Sequence, residues 1–353
     1  MKKKIKYLVL GIIGILVVCI LGLLFWFHDE LQTLSSVKKV SNYPAYTMTY
    51  KNDYNLDGLL KQGVSNDSEL IQFASKQLLK GLPLTIKVPK VGCTTFATST
   101  PNGQHLFGRN FDLEYSPSML VKTAPKNGYK SISMVDLRFL GLTKNSMNNP
   151  KKKLITLAAP YIPFDGINEK GVSAAVLWVP DKTTNQKTKN KPNITTSVAI
   201  RMILDKAKDT NQAISLLKKY NMHASANGCY HFQINDAKGK SVIVEYENNK
   251  MSVLPQNGES QVLTNFYKTK GNKYLQGDGH DRYEVVEQKL KESHGKLTEK
   301  QAMKLLDAAH NGPGKHFKEV SNTQWSVVYN NTKKTADVVV GRNYNQVRHY
   351  SVN

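Results

Sequence analysis

The segment 91–112 constrains the fold more than any other part of the chain, because its sequence predicts a β-hairpin. A short run rich in Thr, Phe and Ala comes first, a Pro-Asn-Gly turn follows, and a second apolar run completes the pattern. With that turn at the tip, Cys93 lies opposite Phe111, give or take one residue. Neighbouring strands are about 4.8 Å apart, so Cys93, Arg109 and Asp112 are expected within a few ångströms of one another.

These three side chains suit a cysteine nucleophile. A nearby cation such as Arg109 lowers the pKa of a thiol and favours the reactive thiolate. Asp112 gains a role if the Gly92–Cys93 bond is cut, since it would then hold the new α-amine, which acts as the general base for its own thiol. The alternative is that Cys93 is a small buried strand residue. The Gly before it, and the Arg and Asp on the partner strand, favour the catalytic interpretation.

The hairpin resembles the N-terminal-nucleophile hydrolases of the choloylglycine hydrolase, penicillin V acylase, acid ceramidase and acyl-CoA:penicillin acyltransferase group. In that group a Cys opens the mature chain, and a segment like Gly-Arg-Asn-x-Asp lies on the next strand. Here Arg109 follows Cys93 by 16 positions and Asp112 follows it by 19, as the resemblance requires. The resemblance implies an α+β fold, the αββα sandwich of two antiparallel sheets covered by helices, with no cofactor and no metal.

Three later segments also resemble family motifs: Gly166–Val172, Leu263–Asn265 and Asp281–Tyr283. The resemblance implies that Asn168 and Asn265 build the oxyanion hole and that Arg282 supports the nucleophile. Only 17 positions separate Asn265 from Arg282, which is shorter than in the bile-salt branch and favours the acyltransferase-like or ceramidase-like branches. Because 92 residues precede Cys93, the family mechanism requires an internal, autocatalytic cleavage.

The N-terminus predicts a membrane anchor. A Lys-rich tail over 1–6 precedes an apolar run over 7–27, whose length as a helix, about 31 Å, matches a bilayer core. We expect a single-pass anchor at the cell membrane, with the tail in the cytoplasm and the catalytic domain, 93–353, outside. A cleaved signal peptide is the alternative. The segment 28–92 is predicted to be a stem and propeptide-like region: 28–60 is the stem, and one amphipathic helix begins near Ser65 and is stopped by Gly81.

The net charge of the chain limits which macromolecules are expected as binding partners. The formal net charge is +22, from 49 Lys and Arg against 27 Asp and Glu. No nucleic-acid module is visible, so nucleic acid is not expected as a partner. An anionic cell-wall polymer and a merely solvated basic surface are both compatible with this charge. Three Cys residues do not form a disulfide framework, and His280, His310 and His316 fit no metal-ligand pattern.

The remaining pattern predicts strands and helices in alternating blocks. Two buried strands are expected at 154–159 and 172–179, with Asn168 in a loop between them, and two helices are expected over 195–220. Further strands are expected at 230–235, 241–246, 251–254, 261–265, 323–329 and 335–340, and further helices at 282–292 and 298–310. Four aromatic residues are candidates for an acyl pocket, although such residues more often belong to the plain core: Tyr115, Phe139, Trp178 and Phe266.

These observations lead to one main hypothesis. The protein is a membrane-anchored, outward-facing hydrolase of linear carbon–nitrogen bonds in small N-acyl amides, with Cys93 as its nucleophile. Acyl transfer to another amine uses the same chemistry. A non-catalytic, wall-associated binding protein on the same scaffold is the competing hypothesis.

Overall fold

Two stacked β-sheets form the centre of the molecule. The computed structural model describes residues 2–78, 92–269, 277–312 and 322–353. Within them, nine strands form one sheet in the order β1-β2-β5-β6-β7-β8-β11-β12-β13: β1 Lys38–Ser41, β2 Ala45–Thr49, β5 Ser118–Thr123, β6 Ser131–Asp136, β7 Asp165–Asn168, β8 Ser173–Val179, β11 Cys229–Asn235, β12 Ser241–Glu247 and β13 Lys250–Pro255. Six form the other in the order β14-β3-β4-β17-β18-β19: β14 Gln261–Leu263, β3 Gly92–Ser99, β4 His105–Leu113, β17 Asn322–Asn330, β18 Thr335–Val340 and β19 Arg348–Ser351.

Two short ribbons and a set of helices complete the described chain. The ribbons are β9 Asn193–Thr195 with β10 Asn221–His223, and β15 Asn265–Phe266 with β16 Gly277–Asp278. The α-helices are α1 Lys2–Trp26, α2 His28–Ser35, α3 Leu56–Gln62, α4 Asp67–Leu78, α5 Pro150–Leu154, α6 Thr196–Lys206, α7 Thr210–Lys218, α8 His280–Glu292 and α9 Glu299–Ala308. Four 3₁₀ helices span Leu137–Leu140, Ser146–Asn148, Ile155–Tyr161 and Ser225–Asn227.

The layers follow the predicted αββα order. Helices α6 and α7 pack on the nine-stranded sheet, and α8 and α9 pack on the six-stranded sheet. The two sheets face each other, since the Thr95 hydroxyl donates to the Gln233 side chain at 2.6 Å and the Trp325 indole donates to Asp165 at 3.0 Å. A large apolar core fills the space between the sheets, and a smaller one lies between the six-stranded sheet and its helices. The predicted α+β sandwich is confirmed.

The hairpin β3–β4 has the register that its turn predicts. Cys93 pairs with Phe111, and Ser99 pairs with His105 beside the turn. Gly103 has a φ of +75°, a backbone conformation that glycine adopts without steric cost. The amide of Thr100 donates to the carbonyl of Gln104 at 2.7 Å and closes the loop. Turn chemistry and strand alternation together were therefore enough to place Cys93 beside β4.

The segment 28–60 is not a stem, and that prediction was wrong. It forms one whole helix, two strands and the first part of a second helix, and β2 extends the nine-stranded sheet by pairing in parallel with β5, Ala45 opposite Ser118. Tyrosines in this segment, which made it look polar, are buried. The Tyr54 hydroxyl donates to Asp205 of α6 at 2.7 Å, which satisfies its polar atom inside the core.

The predicted amphipathic helix corresponds to α4, which buries Leu70, Ala74 and Leu78; its predicted stop, Gly81, lies outside the described residues. The strand predicted at 154–159 is instead helical. Asn149 caps α5 by accepting from the amides of Lys151 and Lys152, Pro150 follows the cap, and a 3₁₀ helix continues to Tyr161. A short apolar run does not distinguish a buried strand from a buried helix. Here the Asn149 cap followed by Pro150 is the sequence signal that indicates a helix.

Helix α1 is the N-terminal apolar helix that the sequence predicts. Its window Val9–Trp26 has a mean hydropathy of 2.9, and none of it is buried against the rest of the molecule. Its length and composition suit a membrane span or a signal sequence.

Candidate active site

Cys93 lies at the start of β3, fully buried between the sheets. Its backbone amide donates to Asn265 Oδ1 at 2.7 Å, and its carbonyl accepts from Arg282 Nη1. Burial raises the pKa of the Cys93 thiol to about 11, while the positive charges of Arg109 and Arg282 oppose that shift. In the uncut chain Cys93 is therefore held as a neutral thiol at physiological pH.

Arg282 joins the backbone of Cys93 to three other groups. Its guanidinium donates to Thr94 Oγ1 at 2.7 Å, to Asn265 Oδ1 at 2.9 Å and to Asp112 Oδ2 at 3.3 Å. Arg282 lies in the first turn of α8, and Gly279 is the residue immediately before that helix. A Cβ at Gly279 would lie 2.5 Å from Arg282 Nη2, and the φ there is +82°, so glycine is required both for space and for the backbone turn.

Asp112 faces the helices, on the side of β4 opposite to Arg109, because successive strand residues point to opposite faces. Its Oδ1 accepts from the Thr323 hydroxyl at 2.5 Å, and its Oδ2 accepts from the Asn311 amide at 2.7 Å as well as from Arg282. Burial raises the pKa of Asp112, and Arg282 opposes the shift most strongly. Asn311 and Thr323 were missed, since neither carries a local motif.

Arg109 points between the sheets, on the same face of the hairpin as Cys93. Its Nε lies 3.4 Å from Asp165 Oδ2, and its guanidinium carbon lies 5.4 Å from the centre of the Phe111 ring. The residue is fully buried, yet its two terminal nitrogens bond to no acceptor among the described residues. Asp165 was missed by the sequence analysis; it also accepts from Trp325 and Tyr329. A buried cation with unused donors is suited to an incoming oxygen atom.

Asn168 does not join this cluster, so its place in an oxyanion hole stays a prediction that the structure does not support. Its Nδ2 donates to the carbonyls of Leu204 and Ala207, and its Oδ1 accepts from the amides of Lys170 and Val172. It lies next to the first residue of β8, whereas the cluster contacts the other end of that strand, about 17 Å away. The motif match therefore marks a tight turn that caps α6.

The residue of β8 that reaches the cluster is Trp178, whose carbonyl accepts from Asn265 Nδ2 at 2.7 Å. Of the other pocket candidates, Phe139 lines a small cavity of about 20 Å³ together with Phe164 and Tyr230. Phe164 packs against Phe111, the partner of Cys93, with ring centres 5.0 Å apart.

The remaining two candidates lie elsewhere. Tyr115 lines a separate, larger cavity, and Phe266 is buried against His280 on the ribbon before α8. In the described part of the chain, no three His, Cys, Asp or Glu side chains are grouped so that they could hold a metal, and His316 lies outside that part.

Comparison with known proteins identifies the family. The sequence model of the linear amide C–N hydrolases, choloylglycine hydrolase family, matches residues 93–301, beginning at Cys93. The chain belongs to this family. It is 31% identical over 182 residues to a bile salt hydrolase/transferase of Clostridium perfringens, covering 49% of this chain and 53% of the relative. It is 27% identical over 111 residues to a penicillin V acylase of Pectobacterium atrosepticum, covering 29% of each chain.

The chain thus spans about half the length of the first relative and less than a third of the second. Solved structures support the fold over a longer stretch. A mutant conjugated bile acid hydrolase from Clostridium perfringens superposes with a TM-score of 0.55 at 20% identity, covering 73% of this chain and 92% of that one. A penicillin V acylase from Agrobacterium tumefaciens gives a TM-score of 0.50 at 18% identity, covering 70% and 83%.

The position of Asn168 leads to a testable expectation. Asn168→Ala removes four buried hydrogen bonds, so we expect the free energy of unfolding to fall by about 2–4 kcal/mol. The rate of amide hydrolysis per folded molecule should stay within about twofold of wild type, whereas Asn265→Ala, beside Cys93, should lower it about 10²-fold. Urea denaturation and a rate normalised to the folded fraction measure both. A large rate loss in the Asn168 variant would restore its catalytic role.

Proposed function

We propose that the protein is a hydrolase of linear carbon–nitrogen bonds in small N-acyl amides, made as a precursor that cuts its own Gly92–Cys93 bond. The observation that carries this proposal is the hydrogen bonding of the Cys93 backbone. The Cys93 amide donates to Asn265 and the Cys93 carbonyl accepts from Arg282, both in the core and at the first residue of the family match. Both side chains are themselves fully buried, and together they fix the backbone of the residue at which the family match begins.

The cleavage step follows from the same geometry. The Cys93 thiol attacks the Gly92 carbonyl, the peptide bond breaks as the acyl group moves to sulfur, and the amide nitrogen takes up the thiol proton and leaves as an amine. Water then hydrolyses the thioester, which releases the Gly92 carboxylate and regenerates the thiol. The Cys93 nitrogen, which donates to Asn265 as an amide, becomes a free α-amine in a site that already has a hydrogen-bond acceptor for it.

Hydrolysis of a substrate uses that amine. The amine takes the thiol proton, the thiolate attacks the acyl carbonyl, and the ammonium gives its proton to the departing amine. Water, deprotonated by the α-amine, then attacks the thioester and releases the acid. We assign the oxyanion to the unused donors of Arg109, which lies on the same face of the hairpin as Cys93, and to Asn265, which bonds the Cys93 amide; one such donor is worth about 3–4 kcal/mol.

The cut chain should stay together as two subunits. The piece that ends at Gly92 supplies β1 and β2 to the nine-stranded sheet and buries α4 against the catalytic domain. We propose that α1 anchors this piece in the cell membrane with its Lys-rich end inside, so the catalytic subunit faces outward. Acyl transfer is a second candidate, because a relative carries "hydrolase/transferase" in its name and because an amine can replace water in the last step.

The test is the intact mass and N-terminal sequence of the purified full chain, followed by amine release from a panel of N-acyl amides. We expect two co-purifying fragments, of which the larger begins at Cys93, and measurable amine release. An unbroken 39.6 kDa chain that releases no amine would refute the proposal and favour the non-catalytic binding protein. Cleavage without hydrolysis of any panel member, but with transfer to an added amine, would favour the acyltransferase.

A further inference from the structure

A cavity of about 1020 Å³ opens where the N-terminal segment meets the catalytic domain. One wall comes from residues 37–46, which include β1, the turn after it and the start of β2. Eight further lining residues come from 138–153, and Tyr115 and Pro117 complete the lining. None of the residues that surround Cys93 lines this cavity, so the proposed hydrolysis leaves it without a role.

The cavity is positively charged. Four cations line it, Lys39, Arg138, Lys144 and Lys153, and no carboxylate does among the described residues. Arg138 pairs with Glu114 at 2.7 Å, while the three lysines form no ion pair in the part of the chain that the structure describes. An adjoining cavity of about 350 Å³ shares Lys39 and adds Arg348. Concave walls of one sign focus the field and concentrate counter-ions, so an anion is the expected occupant.

The same cavity also has an apolar side. Tyr43 and Tyr115 meet edge to face with ring centres 5.3 Å apart, and Tyr46, Leu142 and Met147 continue the surface. The Tyr43 hydroxyl donates to Gln324 at 2.5 Å, which fixes its ring at the cavity wall. The volume is at the upper end of small-molecule sites, about 300–1,000 Å³, and far exceeds what one inorganic anion fills. The occupant should therefore combine an anionic group with an apolar part.

The short distance along the chain between α1 and the cavity indicates where that ligand comes from. Lys39 follows the last residue of α1, Trp26, by 13 positions, of which eight form α2. That connection spans at most about 30 Å, because a helix rises 1.5 Å per residue and an extended chain about 3.4 Å. If α1 spans the membrane as proposed above, the cavity is tethered next to the lipid headgroups; its charge and shape do not depend on that anchor.

We propose that this cavity binds a phosphate ester that carries an apolar group, the chemistry of an anionic phospholipid. The lysines would hold the phosphate, and the tyrosines with Leu142 and Met147 would contact the glycerol and the upper acyl chains. Binding there would bridge residues 37–46 of the N-terminal subunit and residues 138–153 of the catalytic subunit after cleavage. A lipid at this junction would therefore stabilise the association of the two fragments.

The experiment counts bound lipids on the full chain by native mass spectrometry in an uncharged detergent. Dioctanoyl phosphatidylglycerol is expected to bind at one site, at least tenfold more tightly than dioctanoyl phosphatidylcholine. The double variant Lys144→Glu/Lys153→Glu should weaken phosphatidylglycerol binding at least tenfold. The matched control, Lys300→Glu/Lys304→Glu, makes the same charge change at exposed positions of α9 and should bind like wild type.

Equal binding of the two lipids, or equal loss in the control variant, would overturn the proposal. A third arm uses glycerol 1-phosphate, which lacks the apolar part: we expect it to compete at least tenfold more weakly than the lipid, and equal competition would overturn the lipid proposal in favour of a free phosphate ester. The cleavage state and amine release are measured on the same samples. Because the two lysines do not contact the Cys93 cluster, both should be unchanged in the double variant, which separates failure of this site from failure of the proposed hydrolase.

Discussion

Cys93→Ala is expected to give an unbroken chain that releases no amine from any N-acyl amide. The substitution removes the sulfur and keeps the backbone pairing with Phe111, so folding should be retained. Loss of a nucleophile costs at least about 10³-fold in rate, and here it also prevents the cleavage that creates the general base. Intact mass after prolonged incubation and an amine-release assay measure the two losses.

Cys229→Ala is the matched control. Cys229 is also fully buried in a strand, but its sulfur contacts the hydroxyls of Thr184 and Tyr267 rather than Arg282 or Asn265. This variant should be cleaved and active, apart from a modest loss of stability. A cut chain in the Cys93 variant would assign the self-cleavage to another group, and an uncut Cys229 variant would show that removing any buried thiol blocks the reaction.

The parts of the fold that follow local rules could be predicted from the sequence. The β3–β4 register follows from its turn and its alternation, and helices α6 to α9 follow from their apolar faces and their ends. The segment 28–60 was misread because its tyrosines are amphipathic. The Tyr54 hydroxyl, for example, is satisfied inside the core by Asp205 of α6, which is 151 positions away along the chain, and no local pattern contains that information.

The candidate site divides in the same way. Cys93, Arg109 and Asp112 lie on one hairpin, so sequence spacing brings them together. Asp165, Asn311 and Thr323 reach them from β7, from the end of α9 and from β17, and only the tertiary fold makes those contacts. Asn168 shows the opposite case: its motif is recognisable in the sequence, but the turn that it closes lies at the far end of β8. A motif identifies a segment, and the geometry decides which of its residues reaches the chemistry.

Arg282→Gln is expected to lower amide hydrolysis by about 10²–10³-fold and the free energy of unfolding by about 3–5 kcal/mol. The guanidinium donates to the Cys93 carbonyl, Thr94, Asp112 and Asn265, so its removal leaves a buried carboxylate without its cation and releases the nucleophile's backbone. Arg282→Lys keeps the charge but cannot reach four acceptors at once, so stability should recover more than rate does. Urea denaturation and kcat per folded molecule measure the two effects.

Arg201→Gln separates catalysis from stability. Arg201 is equally buried and pairs with Asp205 at 2.7 Å, but it lies on α6, against the nine-stranded sheet. Its loss should destabilise the fold by a similar amount, again about 3–5 kcal/mol, and leave kcat per folded molecule within about threefold of wild type. If both variants lose stability and neither loses kcat per folded molecule, Arg282 only neutralises the buried Asp112 carboxylate and has no part in catalysis. If Arg282→Gln alone loses rate, the contact between its guanidinium and the backbone of Cys93 holds the nucleophile in its reactive position.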